Sequence, residues 1–520
     1  MQQPKATLGG QGEGHAPFSP PSRRTFLRAA SALAATAALS KTAQAAQSAG
    51  RLPAGSDLDP VGIDPRLYLM QRATFGFRAV DWADLESMGH AAWLDWQLNP
   101  AAIPDAQCDA KLALYPWRND SPIQMANHAT LAPWELLWQY QQMRLYRATL
   151  SKRQVFERVV EFWTDHFNVY GHSESILKIE EDRQRLRPLA LGKFRDLLIA
   201  TAKGGCMMEF LDNESNVVGA PNENYAREVM ELHTLGVTGP YTEQDVRELA
   251  RCFTGWNYVN LWVAQNIGGN YGDFRFLSQD HDYGPKTVLG QFLPGTGGVQ
   301  EGENMLAFLA DHASTRRFVC TKLCRWFLGY EVSQAIIQRA ENTWTQTDGL
   351  IREVVRTILS PANLSAAKPW LHPKVKRPHQ WMISVLRSLD HSDVDAGELI
   401  WSSHYLGQPE YLCHSPQGYL DQALPWASRL QPRWLYSSVL GHGWWSSINL
   451  TTADCRARLG GTPKAQWMRY MNQHLCGGWM PQHEANLCQR YLDLVFSAET
   501  DQAVGEAFEL LFSSPSFQLF

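Results

Sequence analysis

The chain has 520 residues, 44% of them hydrophobic and 19% charged, with a formal net charge of −5. That balance supplies a full core and excludes a disordered chain, and the lack of a basic surplus excludes a nucleic-acid-binding surface. Twenty Trp residues are the outlier; an indole joins a large flat face to one polar N–H, so the excess fits tightly packed helices or aromatic-lined sugar-binding clefts.

The first predicted element is an export signal. Ser22-Arg23-Arg24-Thr25-Phe26-Leu27-Arg28 precedes an apolar stretch from Ala29 to Ser40 and a small-x-small site at Ala43-Gln44-Ala45. These are the three parts of a bacterial signal peptide, and the paired arginines point to the twin-arginine route. Residues 1–45 are therefore read as the signal, with the twin-arginine translocase as partner during export and a periplasmic or secreted destination. The apolar stretch is shorter than the ~20 residues that span a bilayer. No later run reaches that length, so no transmembrane segment is expected after cleavage. Residues 46–59 read as a polar linker and 60–520 as a helical domain, with a candidate sub-boundary near 365–400.

Helical periodicity dominates from Pro60 onward. Val155, Val159, Phe162, Trp163 and Phe167 keep the i, i+3, i+4 rhythm of an amphipathic helix over 154–167. Similar rhythms predict helices over 189–202, 222–235, 242–253, 303–312, 314–328, 351–359 and 378–389. Breaks fall at Gly204-Gly205, Gly236 and Gly239-Pro240. Between Tyr258 and Gly298 the chain turns Gly-, Asn- and aromatic-rich, with short β-like runs such as Phe274–Leu277, and reads as an insertion forming a small hairpin lid. Residues 401–437 read as irregular. The predicted fold is mainly α, a large multi-helix orthogonal bundle with a short β insertion near 258–298. Nine cysteines include no C-x-x-C pair. Cys320 and Cys324 read as buried thiols, while Cys455, Cys476 and Cys488 are expected disulfide partners in an oxidising compartment.

The chemistry-bearing residues lie mainly on these helices. His166 shares a helical face with Val159, Phe162 and Trp163, whereas Glu157, Glu161, Asp165 and Asn168 form a separate polar stripe. A buried imidazole needs a hydrogen-bond partner or a metal, since an unsatisfied polar group costs ~1–3 kcal/mol. His233 sits similarly among Ala226, Val229 and Met230. Glu228 and Glu231, at i and i+3, can converge to share a proton, take an Arg or hold a cation; Arg227, Arg247 and Arg251 make an Arg–Glu structural network the competing reading. Asp212, Glu214, Asn216 and Glu223 match calcium-loop positions, but Val217 stands where that loop needs Gly. His281 and Asp282 can divide acid–base labour, with Lys286 to hold an anion.

The expected catalytic set is thus Glu161, His166, Glu228, Glu231, His281 and Asp282, with Asn213, Asn224, Arg227, Trp256 and Lys286 as substrate contacts. Glu161, His166, Asp212, Glu228, Glu231 and His281 are expected to face one cavity between the helices, roofed by the 258–298 insertion. No nucleophile elbow, Walker loop, H-E-x-x-H or dinucleotide fingerprint is present. No motif names a cofactor; a divalent metal on carboxylates and His is one form the site can take.

Several motifs stand in order: Arg72-Ala73-Thr74-Phe75-Gly76, Phe162-Trp163-x-x-His166-Phe167, Leu211-Asp212-Asn213, the run from Asn222 to Gly236, His281-Asp282-x-Gly284-x-Lys286, and Gly407-Gln408-Pro409. Over roughly residues 60 to 515 the chain resembles the bacterial domain-of-unknown-function family 1800. The resemblance implies an exported, mainly helical protein of undefined activity. It also implies, as an expected partner, a co-encoded exported protein of family 1501, which resembles alkaline-phosphatase-type sulfatases. Three classes are expected: a carboxylate/His hydrolase acting on an envelope or extracellular polymer, with or without a metal; a cofactor-bearing periplasmic oxidoreductase; or a non-catalytic partner of the sulfatase-like protein.

Overall fold

Capping chemistry sets where the helices begin. The Asp64 carboxylate accepts from the backbone N–H of Arg66 ahead of the helix Pro65–Ala73. Thr242 and Asp245 cap each other's backbone at the start of Glu243–Cys252. Both devices satisfy N–H groups that a first turn leaves without partners.

The computed structural model describes residues 64–171, 175–369, 373–392, 394–441 and 450–520; the signal and the linker lie outside the described residues. The fold is mainly α, as the periodicity predicts. The helices Gln154–His166, Glu243–Cys252, Val299–Asp311, Ala313–Leu328, Ile351–Ile358 and Pro378–Ser388 fall on the predicted ranges. Among the described residues, none of the helices is long and apolar enough to cross a membrane.

The insertion forms two small antiparallel pairs. Trp256–Tyr258 pairs with Phe274–Phe276, placing Trp256 opposite Phe276, and Lys286–Val288 pairs with Gln291–Leu293. Residues 401–437 are irregular only in part: 407–422 hold no helix or strand, but Ala396–Leu406, Ala423–Ala427 and Leu430–Gly441 are helices. The last of these packs against Asp501–Ser513. Pro, Trp and Gly at their ends and junctions hide the helical rhythm in this stretch. The cysteine expectation also needs correction. Cys455, Cys476 and Cys488 are buried free thiols, each on its own helix.

Two helices carry a π turn, at Asp182–Leu186 and Val229–His233. The extra residue in such a turn rotates the rest of the helix about its axis, so an i+3 spacing across the junction no longer fixes a common face. Residues Leu58–Phe520 form one compact unit, and the candidate boundary near 365–400 falls inside it. Backbone bonds between Lys374 and Phe520 and from Lys376 to Gln518 tie that stretch to the C-terminus. The helix Pro378–Ser388 is buried along its whole length and packs on Pro133–Leu150. Charges carried on or beside so buried a helix are forced to find partners inside.

Candidate active site

Four segments bring charges together at that helix, two consecutive helices from the first half of the chain and two stretches from the second. Pro133–Leu150 supplies Arg144; Gln154–His166 supplies Arg158, Glu161, Thr164 and Asp165. Arg377 and His379 stand at the start of Pro378–Ser388, and Gln408, Glu410 and Tyr411 come after Ala396–Leu406. Arg158, Glu161 and Asp165 lie at i, i+3 and i+7, one stripe of an α-helix. Arg377 clamps two of them, donating from Nη2 to Glu161 Oε1 at 2.8 Å and from Nη1 to Asp165 Oδ2 at 2.5 Å. The other Glu161 oxygen takes Arg158 Nη1 at 2.5 Å. Glu410 pairs with Arg144 Nε at 2.5 Å and lies 2.7 Å from His379 Nδ1. The guanidiniums of Arg158 and Arg377 also stand 4.5 and 4.6 Å from the Trp326 ring centre, where the ring's negative face stabilises desolvated cations.

This pairing separates the carboxyls electrostatically. Burial would raise the Glu161 carboxyl, but Arg158 and Arg377 overcome it and hold the group well below the usual carboxylate range. Glu410 is lowered in the same way, with Arg144 and then His379 outweighing burial. At Asp165, by contrast, burial outweighs Arg377 and raises the carboxyl. His379 is raised, because Glu410 and Glu161 outweigh the burial that would lower it. Arg144, Glu161, Thr164, Asp165, Asn168, Arg377, Gln408, Glu410, Tyr411 and Tyr419 enclose a cavity with room for about one water molecule. Asp165 keeps 17% of its side chain exposed, against 4% for Glu161.

Of the residues expected from sequence, only Glu161 belongs to this chamber. His166 points the other way from the same helix. Its Nδ1 lies 2.9 Å from Lys322 Nζ and its Nε2 3.1 Å from the His233 carbonyl. The rings of Phe162, Trp163, Phe167 and Phe194 surround it. Burial, reinforced by Lys322, pushes its pKa well down. Burial likewise takes His233 down to about 3.

Glu228 and Glu231 lie on a partly exposed helix surface. Arg227 binds Glu223 and Glu243 and approaches Glu231 at 3.6 Å, so the Arg–Glu network is what forms. Burial and then Glu231 raise the Glu228 carboxyl. Asn213 is buried and donates to the Trp256 carbonyl at 3.4 Å, while Asn224 donates its backbone N–H to Asn222 Oδ1 and its side-chain amide to exposed Asp212. Trp256 itself is fully buried between Phe253 and Phe274.

His281, Asp282 and Lys286 fasten the insertion to the bundle. His281 Nδ1 meets the Thr254 carbonyl at 2.8 Å, and Lys286 Nζ donates to Glu301 Oε2 at 2.6 Å. Asp282 pairs instead with Arg251, whose hydrogen bond lowers its carboxyl. The expected single cavity is therefore not formed: the residues fall in separate sets of contacts. No cluster of three or more His, Cys, Asp or Glu is arranged around a cation position among the described residues.

Arg144, Arg377, His379 and Glu410 are not among the residues the sequence singles out, because a charge bound for the interior looks the same in sequence as one bound for solvent. One signal is present all the same. Lys374, Lys376 and Arg377 run directly into the helix that Pro378 opens, whose Trp381-Met382-Ile383 stretch is apolar.

A mainly helical bundle with a charged chamber built from four segments of the two halves of the chain is the class of protein that fold and site define. The family model described as "Protein of unknown function (DUF1800)" matches residues 68–519, and the chain belongs to that family. No curated protein and no solved structure matches the chain.

Proposed function

We propose that this is an exported hydrolase that works by carboxylate acid–base chemistry in the charged chamber, on an envelope or extracellular polymer. One observation carries the reading. Glu161 and Asp165, a single helical turn apart and clamped by the same arginine, are driven in opposite directions, one toward its ionised form and the other toward its protonated form. Two carboxyls pushed apart in this way are the signature of divided acid–base labour.

Asp165, the more exposed, gives its proton to the leaving oxygen or nitrogen as the scissile bond breaks. Water adds to the electrophilic carbon and returns a proton to Asp165. Glu161, kept negative by Arg158 and Arg377, stabilises positive charge that develops beside it, and the Glu410–His379 contact fixes the far wall. The twin-arginine motif at Ser22–Leu27 supports the exported setting.

The test is turnover of nitrophenyl esters and glycosides by the mature chain. Asp165→Asn should lower kcat by about 100-fold or more with melting unchanged; undiminished turnover would remove the reading. A second reading, a non-catalytic partner of a co-exported sulfatase-like protein, is favoured by the chamber's size, room for about one water. A stable complex of the two proteins, with no turnover by this chain, would establish it instead.

A further inference from the structure

The chamber has room for about one water molecule, so the scissile bond of a polymer reaches Asp165 only when part of the wall moves. Most of that wall is fixed. Arg144, Glu161, Thr164 and Asp165 stand on packed helices, and Arg377 heads a helix buried along its whole length. The rest of it, with Gln408, Glu410, Tyr411 and Tyr419, belongs to residues 407–422, which hold no helix or strand. Within that stretch residues 412–419 cover Asp165. A Cβ at Gly418 would lie 2.2 Å from the Asp165 carbonyl oxygen, and the Tyr419 N–H reaches Asp165 Oδ1 at 3.4 Å. His414, Ser415 and Gln417 of the same segment are exposed.

The segment is fastened lightly. Among the described residues its backbone–backbone bonds are local, from Leu412 N–H to the Pro409 carbonyl and from Gly418 N–H to the Ser415 carbonyl. Buried Asn168 ties it to the end of Gln154–His166, donating from Nδ2 to the Cys413 carbonyl at 2.9 Å and to the Ser415 carbonyl at 2.7 Å. His414 stacks on Tyr170 with ring centres 4.0 Å apart. When the segment lifts, each of the Asn168 bonds is exchanged for one to water, so its net hold is small. Segments with few buried apolar contacts open without the rest of the fold. Tyr411 (φ 60°) and Gly418 (φ 74°) hold left-handed backbone on either side of 412–417. A bulky aromatic residue rarely adopts that conformation, and such strain gathers at segments that switch.

We propose that residues 412–419 are a lid over the chamber, latched by the Asn168 amide, and that its opening admits the polymer to Asp165. Closed, the lid keeps bulk water from the reacting groups and sets the Tyr419 N–H against the Asp165 carboxyl. As the route for substrate the lid rests on the hydrolase reading. Its opening is read without turnover, because the segment carries its own reporter. Cys413 is half-buried and burial raises its thiol, whereas the other cysteines are buried outright.

The experiment is the rate of iodoacetamide alkylation at each cysteine, located by mass spectrometry, in the mature chain of wild type, Asn168→Ala and Gly418→Ala. The first variant removes the latch, and the second drives a methyl group into the Asp165 carbonyl. Each should raise the Cys413 rate by about 10-fold or more, with the buried cysteines still unreacted. Rates equal to wild type in both variants would overturn the lid. So would alkylation of the buried cysteines in step with Cys413, which would make the segment part of the core. Faster Cys413 reaction with no nitrophenyl turnover by any form would leave the lid standing and remove the hydrolase reading. Wild-type turnover with unchanged Cys413 rates would remove the lid alone.

Discussion

Lys322 Nζ lies 2.9 Å from His166 Nδ1. A lysine ammonium can only donate, so this ring nitrogen is the acceptor, and the proton sits on Nε2, facing the His233 carbonyl at 3.1 Å. His166 is thereby fixed as one neutral tautomer inside an aromatic shell. Burial lowers Lys322 to about 8, against the opposing pull of Asp165 and Asp421. Replacing His166 with Gln removes the ring contacts and should cost about 2–3 kcal/mol. His166→Phe keeps the packing but strips Lys322 of its acceptor, and should cost about 1–3 kcal/mol. Urea unfolding of the two variants checks both figures; unchanged stability in both would contradict the core placement.

Acid should destabilise the protein early, through the same pair of rings. His233 falls from 6.5 to about 3 on folding, and His166 falls well below its usual value. A base with a depressed folded pKa binds fewer protons folded than unfolded. Its stabilisation is complete above pH 6.5 and lost as pH falls toward 3, by about 1.4 kcal/mol per unit per group. Nε2 of His233 is buried with no hydrogen-bond partner among the described residues, so His233→Phe should fold and flatten this slope between pH 6.5 and 4. A slope equal to wild type would show that His233 does not contribute.

Glu181 should give the opposite trend. It is fully buried, neither oxygen has a hydrogen bond among the described residues, and burial, opposed by Arg185 3.6 Å away, raises it from 4.5 to about 7. The folded state then holds a proton that the unfolded chain has released, so stability present below pH 4.5 is lost as pH rises through about 7. Glu181→Gln should therefore stabilise the protein more at pH 8 than at pH 5, read as the shift in melting temperature. The neighbouring Gly204 is required for this arrangement, since a Cβ there would lie 2.3 Å from Glu181 Oε2. An equal shift at both pH values would place the carboxyl in water.

Arg377 is the residue whose loss the chamber should tolerate least. Removing it leaves Glu161 with Arg158 and a 4.0 Å approach from His379, and leaves Asp165 with none of the ion pairs it now forms. Stranding buried carboxylates typically costs about 3–5 kcal/mol. Arg377→Met should reach that range, whereas Arg227→Met, on the exposed network, should stay within about 1 kcal/mol. Denaturant midpoints of the two variants decide the matter.

Local features are the ones legible in the sequence. The 154–167 rhythm and the Thr242 start predict helices that the structure forms, because amphipathic spacing and capping act within a few residues. Glu161 is legible as a carboxylate on a polar stripe of an otherwise apolar helix. The stripe's destination is not, since Arg377 and Glu410 lie more than two hundred residues away and only packing brings them near. Glu228 and Glu231 mislead for a different reason. They do interact, Glu231 helping to raise the Glu228 carboxyl, but Arg227 draws Glu231 into a partly exposed network with Glu223 and Glu243.

The most direct measurement is an isotope-edited infrared titration of the carboxyl bands in wild type, Asp165→Asn and Glu161→Gln. The band missing in Asp165→Asn should titrate above the ordinary aspartate value of 3.8, and the band missing in Glu161→Gln should remain ionised well below 4.5. Two bands that titrate together at ordinary carboxylate values would contradict the division of labour between Glu161 and Asp165.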